Sequence, residues 1–150
     1  EIADRVCERG WFGQKTSTGY YLYGEGIDFL TPNPEIETIC NDERKRVGIN
    51  PKDFNDQEIL DRYIAAMVYE GTKILQEKIA VRPSDIDVVY TNGYGFPKWR
   101  GGPMKYADMV GLEKILSNIE KFSQEDKRFW SPPQLLQDLV NKGKNFDSLN

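Results

Sequence analysis

The stretch from residue 55 to residue 75 constrains the fold more than any other part of the sequence. Its apolar positions recur at intervals of three and four residues, which places them on one face of a long α-helix. These positions are Leu60, Ile64, Met67, Val68, Gly71 and Leu75. Asn55 and Glu58 have capping-box spacing and predict the start of the helix. At about 1.5 Å per residue, this helix is long enough to be the spine of a domain, and the glycine in its middle predicts close approach of another helix.

Helical patterns also dominate the rest of the chain. The sequence predicts a helix that ends at Gly10 and a second from Pro34 to Gly48 with Asn33 as its cap. Two more are predicted from Pro103 to Val110 and over residues 111–122. The last predicted helix has Ser131 as its cap, Pro132 at its first position and Gly143 at its end. The run RPSDIDVVY, residues 82–90, is spaced for a short helix, with a strand as the alternative. Residues 20–23 resemble a short strand, but no second strand pattern accompanies them, so an extended segment over a helical surface is favoured. The prediction is an all-α fold without a sheet.

Composition limits the classes of function that are open to the chain. Its length of 150 residues supports one domain with a substantial core. The net charge of −4 argues against a nucleic-acid binder, and no apolar run approaches the roughly 20 residues that a membrane span needs. The chain has no histidine, which removes Ser-His-Asp and Cys-His nucleophilic systems and histidine metal sites. Catalysis by Asp, Glu, Lys or Tyr stays open, but a self-sufficient enzyme is not expected.

The cysteines and the paired acids have structural explanations. Cys7 and Cys40 lack metal-binding or redox spacing, so both are predicted to be buried, reduced thiols. Asp85 and Asp87 lie at a predicted helix start, where acidic residues favour the helix dipole without any catalytic role.

The run NGYGFPKWRGGPM, residues 92–104, is the most unusual segment of the chain. As a dinucleotide-binding turn it fails, because Lys98 replaces the third glycine and Pro97 lies where the phosphate-binding helix should donate N–H groups. The run GQKT, residues 13–16, likewise lacks the earlier glycine of a phosphate loop. Lys98, Trp99 and Arg100 have the composition that stacks on single-stranded nucleic acid, yet one such triplet in an acidic chain is weak support.

A structural connector is therefore the favoured interpretation of this loop. Glycine permits backbone conformations and close contacts that a Cβ atom would block, and proline fixes the direction of the chain. Phe96 and Trp99 are predicted to insert between neighbouring helices. The residues assigned to the structural loop are Gly93, Gly95, Phe96, Pro97, Trp99, Gly101, Gly102 and Pro103.

Two runs of the sequence resemble a known family. SDIDVVYTNGYGFPKWRGGPMKYADMVGL is similar to the C-terminal region of L-3-hydroxyacyl-CoA dehydrogenases in multifunctional enzymes of fatty acid β-oxidation. GWFGQKTSTGYYLY is similar to the segment that closes the first of two related helical repeats in that family, and VVYTNGYGFP is most similar to the peroxisomal type. The resemblance implies an all-α, multi-helical domain of the 3-hydroxyacyl-CoA dehydrogenase C-terminal type, which is like the 6-phosphogluconate dehydrogenase C-terminal domain, preceded by an extended segment. Residues 1–54 would be the end of the first repeat, an extended arm and a linker helix, and residues 55–150 the second repeat.

The resemblance also implies how the work is divided in the longer enzyme. In the family, an upstream Rossmann domain binds NAD and carries a catalytic His–Glu pair, and the helical region completes the acyl-CoA site. This chain would then hold no catalytic, cofactor-binding or metal-binding residue, and Asp61 stands where the first repeat has its catalytic asparagine. The stripe from Leu60 to Leu75 would pack on the first repeat. Implied partners are the Rossmann domain and first repeat of the same polypeptide, and acyl-CoA; nucleic acid, membrane spans and metals are not expected.

Two further expectations concern the extent and location of the protein. The chain begins with Glu1 rather than Met, which indicates a segment of a longer protein. The family resemblance implies a peroxisomal location, with the mitochondrion as the alternative, although the final Ser-Leu-Asn is a poor match to an S-K-L signal.

Two other readings of the sequence stay open. One is a free-standing helical protein–protein module that uses Trp99 and the glycine loop as its binding face. The other is a single-strand nucleic-acid binder, which would require steeply salt-dependent affinity.

Overall fold

The structure, a computed structural model, describes residues 1–26 and 31–150. The chain divides into two compact units, Glu1–Asp53 and Phe54–Asn150. Within the described ranges, the regular structure consists of seven α-helices, three short 3₁₀ helices and one two-stranded sheet, so the all-α prediction is confirmed in its main feature.

The first unit is built on two helices, α1 (Ile2–Glu8) and α2 (Pro34–Val47). The ends of α2 are those predicted: the Asn33 Oδ1 atom accepts a hydrogen bond from the Glu35 N–H at 3.1 Å, and Gly48 ends the helix with φ at +72°. A left-handed φ of this kind suits glycine because glycine has no Cβ atom.

A short sheet in the first unit corrects one prediction. Strand β1 (Tyr21–Leu22) pairs antiparallel with strand β2 (Thr31–Pro32), whereas the sequence suggested no partner for it. Two residues are too few to produce an alternating pattern, so the second strand has no signature in the sequence. The side chain of Asn33 supports the pairing, because its Nδ2 atom donates to the Gly19 carbonyl oxygen at 3.0 Å.

The cysteine prediction was half right. Both thiols are free, as expected, but Cys7 is exposed and Cys40 is half-buried. On α1 the buried position belongs to the neighbouring Val6, which has 3% of its surface exposed.

Glu43 joins the two helices of the first unit electrostatically. Its carboxylate accepts a hydrogen bond from Arg46 Nε at 2.9 Å and lies 3.2 Å from an Arg5 guanidinium nitrogen on α1. The bond from Arg46, together with the nearby positive charges, lowers the pKa of Glu43 from its usual 4.5 to about 2.

Acid is therefore expected to weaken the packing of α1 on α2. A carboxyl group whose folded pKa is depressed contributes stability above its unfolded pKa, and this contribution is lost as the pH falls through the folded pKa. For Glu43 the loss is expected between pH 4.5 and about 2. Amide NMR signals of the two helices during an acid titration measure it, with Glu43→Gln as the control. An equal response of both proteins in this window would contradict the assignment.

The second unit contains five helices, with the first as its spine. They are α3 (Asp56–Gln76), α4 (Pro83–Gly93), α5 (Pro103–Val110), α6 (Leu112–Ser123) and α7 (Gln134–Asn141). Helix α3 packs against the other four helices. The predicted capping box starts it: the Asn55 side chain accepts from the Glu58 N–H at 2.9 Å, and the Glu58 carboxylate accepts from the Asn55 N–H at 3.1 Å.

Gly71 lets α5 approach α3, as predicted. A Cβ atom at this position would lie 2.7 Å from the Met104 Sδ atom, closer than real side chains come. Met104 and Ala107 on α5 are fully buried, so the contact lies at the centre of the core.

Helix α7 starts later than the sequence suggested. The prediction placed Ser131 as cap and Pro132 at the first helical position, but the helix begins at Gln134 after Pro133. A residue that precedes proline is disfavoured in the helical conformation, and Pro132 precedes Pro133. The predicted apolar face is nevertheless correct, since Leu136 and Leu139 are buried.

Arg62 connects the segment before α3 to α6 in the second unit. Its guanidinium group lies over the rings of Phe54 and Phe122, at 4.7 and 4.3 Å, and donates to both carboxylate oxygens of Glu125 at 2.8 Å. The segment before α3 is thus held against α6 by stacking and by a bidentate ion pair.

Candidate functional site

The glycine loop connects α4 to α5 and contains a 3₁₀ turn, Lys98–Arg100. Three of its glycines have left-handed backbones: Gly95, Gly101 and Gly102, with φ at +69°, +81° and +120°. Gly93 differs from the prediction, because it is the last residue of α4 and a Cβ atom there would meet nothing within 4 Å.

Asp87, on α4, binds the start of α5 at the other end of the loop. Its two carboxylate oxygens accept hydrogen bonds from the backbone N–H groups of Met104, at 2.7 Å, and Lys105, at 3.1 Å, in the first turn of α5. A Cβ atom on Gly102 would overlap the Asp87 side chain. The loop is thus a connector whose two ends are tied together by one buried acid.

The pKa of the Asp87 carboxyl group is subject to opposing effects. Burial raises this pKa most, and the two backbone hydrogen bonds lower it. The nearby Asp108 and Asp147 carboxylates raise it further. The net shift is upward, so the buried negative charge offsets part of the stability that the hydrogen bonds contribute.

This role of Asp87 was not predicted. Asp85 and Asp87 were both expected to be acids of a helix start, and this is right for Asp85, whose carboxylate accepts from the Arg82 N–H at 3.1 Å. Asp87 lies one turn further along and points to the inside, with 8% of its surface exposed. A signal was available: an acid on the apolar face with Ile86 requires buried donors.

A second acid holds the C-terminal residues of the unit in the same manner. Asp108 accepts from the N–H groups of Phe146, at 2.8 Å, and Asp147, at 2.9 Å, while Lys105 pairs with the Asp147 carboxylate. Burial raises the pKa of Asp108. Both Asp87 and Asp108 therefore bind backbone groups of their own chain rather than facing a reactant.

The two aromatic residues of the loop behave differently from each other. Phe96 is inserted among the helices as predicted, with 8% of its surface exposed. Trp99 was predicted to insert as well, and this is wrong, because 77% of its surface is exposed. The 3₁₀ turn directs the indole outward, where the Arg100 guanidinium lies 4.6 Å from its ring centre.

A pocket opens beside the loop, between α3 and α4. Its volume is about 220 Å³, and it is lined by Leu60, Tyr63, Ile64, Tyr90, Tyr94, Gly95, Phe96, Pro97 and Arg100. Burial, followed by the neighbouring Tyr63 and Tyr94, raises the pKa of Tyr90. The pocket thus combines apolar walls with hydroxyl donors and one guanidinium group.

The long stripe of α3 lies mostly inside the unit. Ile64, Met67, Val68 and Gly71 are buried against the unit's own helices, and the repeat-packing role assigned to the stripe stays a prediction. Leu75 is half-buried and Leu60 has 36% of its surface exposed. The apolar stripe predicts that these positions are buried, but it does not indicate which elements bury them.

Exposed apolar side chains cluster instead around the start and the outer face of α4. The most exposed are Ile79, Val81, Val88 and Val89, at 71%, 83%, 59% and 54%. A groove of about 320 Å³ runs through this surface and is lined by Ile74, Ile79, Ala80, Val81, Asp85, Ile86, Val89 and Tyr90. We call this surface the α4 face.

Two kinds of candidate are absent from the described residues, a cluster of metal ligands and a membrane span. No group of three or more metal-ligating side chains is assembled among residues 1–26 and 31–150. In the same ranges, no helix has both the length and the apolar character that a membrane crossing requires.

Comparison with known proteins identifies the family. The model of the 3-hydroxyacyl-CoA dehydrogenase C-terminal domain matches residues 59–147. The peroxisomal bifunctional enzymes of Danio rerio and Homo sapiens are 46% and 37% identical to the chain over 145 residues, and each comparison covers 95% of the chain. The fatty acid oxidation complex subunit alpha of a Psychrobacter species is 32% identical over 144 residues, 94% of the chain.

The match is to a limited part of these relatives. The chain spans 20% of the length of each. The matched residues nevertheless include most of α3, the glycine loop and both buried acids. Because the family match covers more than half of its length, the chain belongs to the 3-hydroxyacyl-CoA dehydrogenase family, as a C-terminal domain of that family.

Proposed function

We propose that this chain is the C-terminal helical, non-catalytic part of a multifunctional L-3-hydroxyacyl-CoA dehydrogenase. Such an enzyme oxidises 3-hydroxyacyl-CoA with NAD in fatty acid β-oxidation and also carries enoyl-CoA hydratase activity. The observation that carries the proposal is the 46% identity to a bifunctional enzyme of which the chain spans only 20%. A rice relative at 30% identity is named a peroxisomal fatty acid beta-oxidation multifunctional protein, which supports the same pathway.

The glycine loop and the helix that follows it do not suit the phosphates of NAD. A dinucleotide phosphate would need the free N–H groups of a helix that follows a glycine loop. Here the first N–H groups of α5, those of Met104 and Lys105, are already bound to the Asp87 carboxylate, which would also repel a phosphate. The proposal therefore places NAD and the catalytic histidine on upstream domains.

Asp61 supports a non-catalytic role for the second unit. It stands at the position that resembles the catalytic asparagine of the first repeat, and its carboxylate accepts a hydrogen bond from Gln57 Nε2 at 2.7 Å on the same helix. A carboxylate cannot donate a hydrogen bond as an asparagine amide does.

The α4 face is the proposed contact with the upstream helical repeat of the same polypeptide. Three of its exposed side chains, Ile79, Val81 and Val89, line one groove, and exposed apolar surface of this kind is typical of a site that a partner covers. This assignment is an alternative to the stripe of α3, most of which lies in the unit's own core. We further propose a peroxisomal location, because the relatives from Danio rerio, Homo sapiens and rice are named peroxisomal.

An activity and binding experiment tests the proposal. The 150-residue chain alone is expected to form no NADH from 3-hydroxybutyryl-CoA and NAD, and to bind a separately expressed upstream segment of its own protein. Val89→Glu on the α4 face is expected to weaken this binding at least tenfold, because it would bury a charge. Met109→Glu on α5, where 64% of the surface is exposed compared with 54% for Val89, serves as the control. NADH formation by the chain alone would refute the proposal, and equal effects of the two substitutions would refute the assigned face.

One observation favours a second candidate function, a free-standing protein-binding module. Trp99 and Tyr94 are 77% and 75% exposed, and tryptophan, tyrosine and arginine are enriched at the centres of protein interfaces. In that case Trp99→Ala would abolish binding of the partner while Val89→Glu would not, which is the reverse of the first candidate.

A further inference from the structure

Arg100 differs from the other arginines in its lack of a polar partner. Carboxylates pair with Arg5, Arg46, Arg62, Arg82 and Arg128, and the remaining two, Arg9 and Arg44, donate to a carbonyl oxygen and to an asparagine. Within the described residues, Arg100 makes neither a hydrogen bond nor an ion pair, and its Nε atom is buried without an acceptor. Two aromatic rings hold the guanidinium group between them: those of Trp99, at 4.6 Å, and Tyr106, at 4.5 Å.

The pocket beside the glycine loop places further donors next to this cation. The phenol groups of Tyr63, Tyr90 and Tyr94 line it, and the structure gives none of their hydroxyls a partner among the residues it describes. No aspartate or glutamate contributes to the lining. The polar side chains of the pocket are therefore phenol hydroxyls, which can donate hydrogen bonds, and one guanidinium group, and this combination suits an anion.

The remaining walls and the volume of the pocket limit the kind of anion. Leu60, Ile64, Phe96 and Pro97 supply an apolar surface. The volume of about 220 Å³ is below the about 300 Å³ at which sites for drug-sized ligands begin. A phosphate group is a poor match, because it is doubly charged and is usually bound by several cations or free backbone N–H groups, whereas this pocket offers one guanidinium group.

We propose that this pocket binds a small amphipathic monocarboxylate. The carboxylate pairs with the Arg100 guanidinium group and the phenol hydroxyls, and the apolar body lies against Leu60, Ile64 and Phe96. Stacking on Trp99 and Tyr106 fixes the guanidinium group in advance, so little side-chain entropy is lost on binding. The site shares Tyr90 with the groove of the α4 face and does not depend on the function proposed above.

Calorimetric titration of the 150-residue chain tests the site with three probes of equal chain length. Octanoate is the anion, octylammonium reverses the charge, and 1-octanol has none. Saturable binding is expected for octanoate, at least tenfold tighter than for either of the other two. If 1-octanol or octylammonium binds as tightly as octanoate, or octanoate shows no saturable binding to the folded chain, the proposal is overturned.

Matched substitutions locate the binding. Arg100→Gln is expected to weaken octanoate binding at least tenfold, whereas Arg128→Gln, where 95% of the side chain is exposed, should leave it unchanged. Leu60→Trp, at the half-exposed rim of the pocket, is expected to abolish binding by filling it, which provides a test even if Arg100→Gln does not fold. Unchanged octanoate affinity in a folded Arg100→Gln or Leu60→Trp variant would rule out this pocket.

Discussion

Gly102→Ala is expected to destabilise the second unit by about 3 kcal/mol, one of the largest effects of any single-methyl addition in the chain. Two causes act together. The backbone of Gly102 has φ at +120°, a region that residues with a Cβ atom rarely adopt, and the added methyl group would overlap the Asp87 side chain. Relief of that overlap would require Asp87 to release the first turn of α5. Urea unfolding, monitored by tryptophan fluorescence, measures the loss in free energy of unfolding.

Gly93→Ala is the matched control for this experiment. Gly93 belongs to the same loop motif in the sequence, but it is helical and has free space around the position of a Cβ atom. Its replacement is expected to change stability by less than about 1 kcal/mol, with stabilisation the more natural direction. A similar loss for both variants, or no loss for Gly102→Ala, would mean that close approach at Asp87 does not govern the loop.

Asp87→Ala is expected to cost about 2 to 3 kcal/mol, because it removes the acceptor of two backbone N–H groups, one of them on the fully buried Met104. Burial keeps the pKa of Asp87 above its usual value, so the charged form is not in its best environment at neutral pH. The cost therefore comes from the unpaired donors rather than from a lost ion pair. Thermal or urea unfolding of the variant at neutral pH provides the measurement.

Asp87→Asn separates the two contributions. The asparagine side chain has one carbonyl oxygen and no charge, so it is expected to keep one of the two backbone hydrogen bonds and to lose about half as much stability as Asp87→Ala. It also removes a pH dependence. A group whose folded pKa is raised destabilises the fold as the pH rises from its unfolded pKa of 3.8 through the folded value, and the asparagine variant should lack this loss. If both substitutions cost equally little, Asp87 does not anchor α5.

The helices were predictable because their ends carry local chemical signals. Asn33 with Pro34 starts α2, the capping box of Asn55 and Glu58 starts α3, and glycine ends α2 and α5. Each of these signals acts within one turn of the chain, so a single sequence is enough to detect it. Where two signals competed, as at the adjacent Pro132 and Pro133, the predicted start was early by a few residues.

The candidate site was less predictable because its properties depend on residues far apart in the chain. Trp99 was expected inside and is exposed, since a tryptophan in a short run between two prolines and several glycines carries no local indication of its direction. Asp87 receives its hydrogen bonds from residues 17 and 18 positions later, which no helical periodicity predicts. The open pocket arises where α3, α4 and the loop meet, and the direction of Tyr63 and Tyr94 there follows from packing rather than from sequence spacing.

The contact between Met104 and Gly71 also affects how the domain responds to oxidants. Met104 is fully buried, and its sulfur atom lies against the backbone of α3, so no space exists for a sulfoxide oxygen in the folded state. Met109, on the same helix, is 64% exposed and open to peroxide. Oxidation of Met109 should therefore proceed in the intact domain, whereas Met104 can be oxidised only after α5 has separated from α3. The ratio of Met104 sulfoxide to Met109 sulfoxide after exposure to peroxide therefore measures how often α5 separates from α3.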